Sequence, residues 1–223
     1  MALCNVATID SMNLEIAIRE SEELIQWLDK NIDGIEIKSN DRSRIAAGCL
    51  DMALEHQKAI VLLTSHRLYG SAAALVRLVF ESYVRGVWFF YSASGKELQE
   101  FKNDKLGKTF DELIKDIEKH EAFSEGILSD VKKLSWKVMN SFTHGGFYQV
   151  VRRNKETEIS PNYSDEEIID ALESANSFAI LTAIAIADMA NNVTLANSIY
   201  ERGMEFFKKN PSKAIKSAVG KGD

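Results

Sequence analysis

Residues 71–93 read SAAALVRLVFESYVRGVWFFYSA, a run without proline whose only charges are Arg77, Glu81 and Arg85. Wound at about 100° per residue, those charges fall at roughly 0°, 40° and 80° of one helical face, with Trp88 at about 20°. Leu78 and Phe89 flank the stripe on one side and Phe80 and Val84 on the other, while Val79, Tyr83, Val87 and Phe90 cover most of the remaining circumference. A helix that is apolar nearly all round must be enclosed by others, so the spacing predicts the central helix of an all-α domain. Its charges are then partly dehydrated, and each needs a partner. Glu81 lies one turn from both arginines, which leaves one net positive charge on the stripe. That surplus makes Arg77, Glu81 and Arg85 a candidate pocket wall, with guanidinium groups holding a phosphate or carboxylate. The competing reading is a structural network tying the helix to carbonyls or to an acid such as Asp51 or Glu55.

The flanking sequence extends this helix into an up-down bundle of about five long helices plus shorter peripheral ones, forming a single domain over residues 1–210. Two prolines and 12 glycines in 223 residues are too few turn formers for an all-β chain. From Ser11 to Asn31, Leu14, Ile18, Leu24, Ile25 and Leu28 recur at helical spacing, with Trp27 at the core edge. Asp41 reads as the cap of a second helix running towards Tyr69, with Ile45, Cys49, Met52, Ile60 and Leu63 inward and Gly70 as its break. So short a break makes this helix and the next an antiparallel hairpin. Ser94/Glu97, Thr109/Glu112 and Ser164/Glu167 are capping boxes that open three further helices. Another helix carries Ile127, Val131, Leu134 and Val138 inward and ends at Gly145-Gly146. The helix from Ser164 runs into the interval between Asn191 and Lys209, with a kink expected at Asn191-Asn192. Residues 211–223 read as a weakly ordered basic tail.

Lys+Arg 27 against Asp+Glu 33 gives a net charge of −6, so any contact with a phosphate backbone has to be local. Two cysteines, Cys4 and Cys49, exclude a disulfide framework and a cysteine-based zinc site, and fit a reducing, cytoplasmic setting. The start of the chain has neither a basic n-region nor a continuous apolar h-region. The most apolar run, Phe178 to Ala187, is about half of a bilayer span and reads as core, so no membrane association is expected. His56, His66 and His120 lack metal-ligand spacing, and no phosphate loop or nucleophile elbow is present, so neither a metal nor a cofactor is expected.

MNSFTHGGFYQVVRRNK, residues 139–155, holds the other candidate. Asn140 and His144 are four apart on one helical face, just before a Gly-Gly break that leaves the imidazole near an open helix end. A histidine so placed can take the proton of a ribose 2′-OH or protonate a leaving oxygen, provided a cation stabilises the phosphorane. Tyr148, Arg152, Arg153 and Lys155 form a basic-aromatic cluster suited to phosphates and bases. The competing reading is a capping histidine followed by a solvated loop.

Met139-Asn140-Ser141-Phe142-Thr143-His144-Gly145 resembles the Arg-Asn-x3-His-Gly signature of HEPN domains, helical bundles found in toxin and phage-defence ribonucleases and in related nucleotide-binding proteins. LVRLVFESYVRG, residues 75–86, also looks like the Arg-x3-Glu element of a group of uncharacterised bacterial helical domains. The likeness spans Asp41 to Arg153, and the signature's arginine is here Met139. It implies proton transfer by His144, an orienting role for Asn140, RNA or a nucleotide as partner, and a homodimer with its cleft across the two-fold axis. With Met139 in the arginine's place, Arg77 or Arg85 is the expected substitute cation. The function expected is thus a metal-independent RNA-cleaving or nucleotide-binding protein of toxin–antitoxin or phage-defence type. The alternative is a non-catalytic interaction or regulatory module with a structural Arg/Glu/His network.

Overall fold

The computed structural model describes residues 3–209. Among them are α1 (Leu3–Ile32), α2 (Asp41–Ser65), α3 (Tyr69–Tyr91), α4 (Gly95–Lys102), α5 (Phe110–Ile117), α6 (Ile127–Thr143), α7 (Phe147–Val151), α8 (Asp165–Met189) and α9 (Val193–Lys209), with a 3-10 turn at Glu121–Phe123. The described residues hold no strand, only an isolated bridge between Asn154 and Ile159, so the all-α expectation is met. The tail expected over residues 211–223 and the side chain of Cys4 lie outside the described residues.

α2 and α3 form the expected hairpin and pack more extensively than any other helix pair. Gly86 is what lets them approach: a Cβ there would lie 2.6 Å from Leu50 Cγ and 3.1 Å from the Ala46 carbonyl. The cap and the break differ from the sequence reading. Asn40, not Asp41, caps α2, its side-chain oxygen accepting from the Ser43 amide at 2.9 Å. Asp41 sits in the first turn, where a carboxylate complements the helix dipole. The chain reverses at Arg67, in the left-handed region at φ 59°, and Leu68 N–H donates back to the Leu63 carbonyl at 2.8 Å. Gly70 is already inside α3, where the Tyr163 hydroxyl would lie 2.8 Å from an added Cβ.

α3 is buried nearly all round, as its composition predicts, including Trp88 on the stripe face. It shares the centre with α8, which packs against α1, α2, α3 and α9. By length and hydropathy α8 is a helix that could cross a membrane, though here most of it is buried within the bundle. Three helices are tied by a buried polar chain: Gln57 Nε2 donates to Asn176 Oδ1, and Asn176 Nδ2 to Ser21 Oγ, each at 2.8 Å. Because each group satisfies the next, the chain fixes the register of α2, α8 and α1 without leaving a dehydrated orphan.

All three capping boxes are present. The expected kink near Asn191-Asn192 is a full break: Asn191 adopts φ 52°, and Asn192 Oδ1 accepts from the Leu195 amide at 3.0 Å to start α9. Four inward assignments fail, one on α2 and three on α6. Met52 is 44% exposed, because α2 buries the neighbouring stripe of Cys49, Ala53 and Leu54 instead. On α6 the buried residues are Leu128, Val131 and Met139, while Ile127, Leu134 and Val138 are exposed. The helix is rotated so that Trp136 and Asn140 also reach α3.

Candidate functional site

The seam between α3 and α6 brings Arg77, Glu81, Asn140 and His144 together. Thr143 pins it: its hydroxyl lies 3.1 Å from the Ala74 carbonyl of α3 and 2.9 Å from the Met139 carbonyl of its own helix. One residue later α6 ends, His144 N–H donating to the Asn140 carbonyl at 3.0 Å. Gly145 turns left-handed at φ 64°, and Gly146 N–H closes back on the Ser141 carbonyl at 2.7 Å. An added Cβ on Gly146 would meet Ser141 Oγ at 2.5 Å, so the chain leaves the helix sharply there and His144 stays exposed.

Arg77 is the hub. Its Nε donates to Glu81 Oε1 at 2.7 Å, and its Nη2 lies 2.7 Å from the same oxygen. Nη1 donates to Asn140 Oδ1 at 2.5 Å and meets His144 Nε2 at 2.6 Å. A guanidinium has protons to give and no lone pair, so this contact requires Nε2 to be the acceptor, with the imidazole proton on Nδ1. Asn140 therefore orients Arg77 rather than His144. The Arg77 and Glu81 side chains are only 17% and 19% exposed.

An aromatic floor lies under the guanidinium. Arg77 Cζ is 4.6 Å from the Trp136 ring centroid, and Lys132 Nζ is 5.0 Å from it. Phe110 stacks on the same indole at 5.0 Å and 15°, and meets Phe80 of the core edge-on. Lys132, Trp136, Asn140 and His144 thus follow one another at four-residue spacing along α6. The sequence reading missed Lys132, Trp136 and Phe110, although the i, i+4, i+8 periodicity ahead of Asn140 was there to find.

The other sequence candidates lie apart from this hub. Arg85 is two turns further along α3, beside Cys49 of α2, whose thiol is pushed up to about 11 by burial despite the nearby guanidinium. Glu81 therefore serves Arg77 alone, and the expected surplus charge is not shared along the stripe. Arg152 is held in a bidentate pair by Glu167, with Nε 2.9 and 3.1 Å from the two carboxylate oxygens. Burial pulls the Glu167 carboxyl up, but hydrogen bonds from Arg152 and Ser164 outweigh it and hold it below its ordinary value. Lys155 lies 3.6 Å from Glu158 in the hairpin-like loop closed by the Asn154–Ile159 bridge. Tyr148 and Arg153 are exposed.

Met139, where the HEPN signature has arginine, is 6% exposed. It lines a half-open recess of about 490 Å³ between α3, α6 and α8, with Val76, Leu134, Val138, Phe142 and Phe178. By helical angle the recess lies on the opposite flank of α6 from Asn140. The cation beside His144 comes from α3 instead.

Residues 50–212, a stretch that contains Arg77, Glu81, Asn140 and His144, match the model of DUF6988, described as a family of unknown function. The chain belongs to that family. No curated protein and no solved structure matches it. In this DUF6988 member the site consists of one acceptor imidazole, one guanidinium partly withdrawn from water, and an amide that aims the guanidinium.

Proposed function

We propose that this protein is a metal-independent ribonuclease acting through His144 and Arg77. The observation that carries the reading is the contact between Arg77 Nη1 and His144 Nε2, which sets the acceptor nitrogen of an imidazole against a held positive charge at the surface. Two such groups are what phosphodiester transesterification needs. When Arg77 Nη1 turns from His144 to the phosphate, Nε2 is released to take the proton of the 2′-OH; the 2′-oxygen then bonds to phosphorus, and the P–O5′ bond breaks. The departing 5′-oxygen takes a proton from water and the resulting hydroxide takes the proton held by His144, leaving a 2′,3′-cyclic phosphate, a 5′-OH and the neutral imidazole. Arg77 stabilises the phosphorane, and Asn140 and Glu81 keep the guanidinium aimed. The resemblance to HEPN domains supports proton transfer by His144 and is the sole support for a toxin or phage-defence setting and for a homodimer.

A second reading has its own observation in favour. Every nitrogen of Arg77 already has a partner in Glu81, Asn140 or His144, as in a clamp that only joins α3 to α6. Incubating the purified chain and a His144→Ala variant with total RNA and with tRNA in EDTA separates the two. Cyclic-phosphate products from the wild type that vanish in the variant establish the nuclease. Intact RNA in both leaves the clamp.

A further inference from the structure

The α6 face that carries Asn140 and His144 continues back to Lys132, outside the hub just described. Lys132 Nζ lies 2.5 Å from Asp111 Oδ1; the lysine side chain is 17% exposed and the aspartate 62%. A partly buried cation held by a solvent-exposed carboxylate is a latch that an incoming anion can open, because Asp111 can rotate into water at little cost. Lys132 Nζ and Arg77 Cζ lie 5.0 and 4.6 Å from the same Trp136 ring centroid, so the two cations are neighbours across one indole. Two cations so close suit the phosphates of neighbouring nucleotides on one strand.

The Trp136 indole between these cations is already covered by Phe110, Arg77 and Lys132, so it offers no free face to a nucleobase. Recognition along this face then rests on backbone phosphates. We infer that Lys132 is a second phosphate-binding cation and that the substrate class is single-stranded polyribonucleotide rather than a free nucleotide. In-line attack favours the single strand, because the 2′-oxygen has to swing opposite the leaving 5′-oxygen. This rests on the ribonuclease reading and deepens it. It also gives Asp111 a sign: the carboxylate competes with the phosphate for Lys132, so its removal strengthens binding.

The test uses a fluorescent ten-nucleotide RNA carrying 2′-O-methyl groups, which block the attacking oxygen, with anisotropy read across a salt series on the full chain. Lys132→Gln is expected to weaken binding about five- to tenfold and to lower the log–log salt slope by about 0.7, the share of one single-strand phosphate contact. Lys132→Arg retains the wild-type slope, Asp111→Asn tightens binding, and AMP competes no better against Lys132→Gln than against wild type. Wild-type affinity and slope in Lys132→Gln, with weakened binding in Arg77→Gln, would overturn this inference and spare the ribonuclease reading. A duplex bound as tightly as the single strand overturns the substrate class. A wild-type chain that binds no RNA at all removes the ribonuclease reading and this inference with it.

Discussion

Arg77 and His144 are 67 residues apart in the chain, yet the guanidinium of one meets the imidazole of the other at 2.6 Å. The contact exists because α6 is anchored to α3 through Thr143 immediately before it ends, so the cap residue is delivered to a defined place on its neighbour. A free helix end would fray, and a histidine on it would have no fixed partner.

The same hub sets the cost of losing Glu81. Arg77 is the one arginine this carboxylate serves, and both side chains keep nearly a fifth of their exposure. Glu81→Ala is therefore expected to cost about 1–2 kcal/mol, below the 3–5 kcal/mol typical of breaking a fully buried pair. For a chain of this size that is a fall of roughly 3–6 °C in Tm, read by calorimetry. An unchanged Tm would mean the pair contributes nothing to stability.

Gly86 and Gly48 should respond to alanine with opposite signs. At Gly86 the new methyl collides with Leu50, a fully buried residue, and with the Ala46 carbonyl. Overpacking of about 1–3 kcal/mol exceeds the gain of about 1 kcal/mol in helix propensity, so Gly86→Ala destabilises. Gly48 lies in the same hairpin with nothing within 4 Å of its would-be Cβ. Gly48→Ala is expected to stabilise by about 0.5–1 kcal/mol. Urea midpoints of the two variants moving in the same direction would refute the close α2–α3 approach.

What could be read from the sequence was what is decided locally or by an unambiguous period. The Ser-x-x-Glu and Thr-x-x-Glu boxes are closed within four residues, and α3 is apolar whichever way it is turned. The failures share the opposite character. Asn40 and Asp41 are both competent caps, and only the backbone at Asn40, extended at φ −146°, decides between them. Arg67 reverses the chain in a conformation that its residue type does not announce, while Gly70, the conspicuous breaker, is used for the approach of Tyr163. On α6 two apolar stripes compete, and the tertiary contacts of Trp136 and Asn140 choose the one containing Met139. Charge and burial said only that Arg77 needs a partner; the HEPN resemblance is what pointed to His144, and the two do meet. Arg85 stayed out of it because about 80° of helix rotation is enough to face α2 instead of α6.

Asn176 is the middle link of the buried chain joining α2, α8 and α1. Asn176→Leu would strand the Gln57 amide, which is 1% exposed and has no route to water. Removing one partner of a buried polar pair costs more than the bond itself contributed, so a loss of about 2–4 kcal/mol is expected. Replacing Gln57 and Asn176 together by leucine should recover part of that loss, since no orphan remains in α2. A double variant less stable than the sum of the singles, by denaturant titration, would show that steric fit rather than polar satisfaction governs the site.

Asp116 gives the bundle a pH dependence of definite sign. Burial pulls its carboxyl up, but hydrogen bonds from Lys108, Lys119 and the Trp88 indole outweigh it and hold the group at about 2, against an ordinary 3.8. A carboxyl whose pKa is lower in the folded state stabilises the fold above its unfolded value. That stabilisation is lost as pH falls through the folded value. Here it is fully present above about pH 4, worth about 2 kcal/mol, and fades towards pH 2. Asp116→Asn should therefore lower stability at pH 7 by that order, while the gap between variant and wild type closes as pH drops from 4 to 2. Chemical denaturation at pH 7, 4 and 2.5 reads the gap directly. A constant difference across the series would assign the loss to packing against Trp88 and exclude the charge of Asp116 as its source.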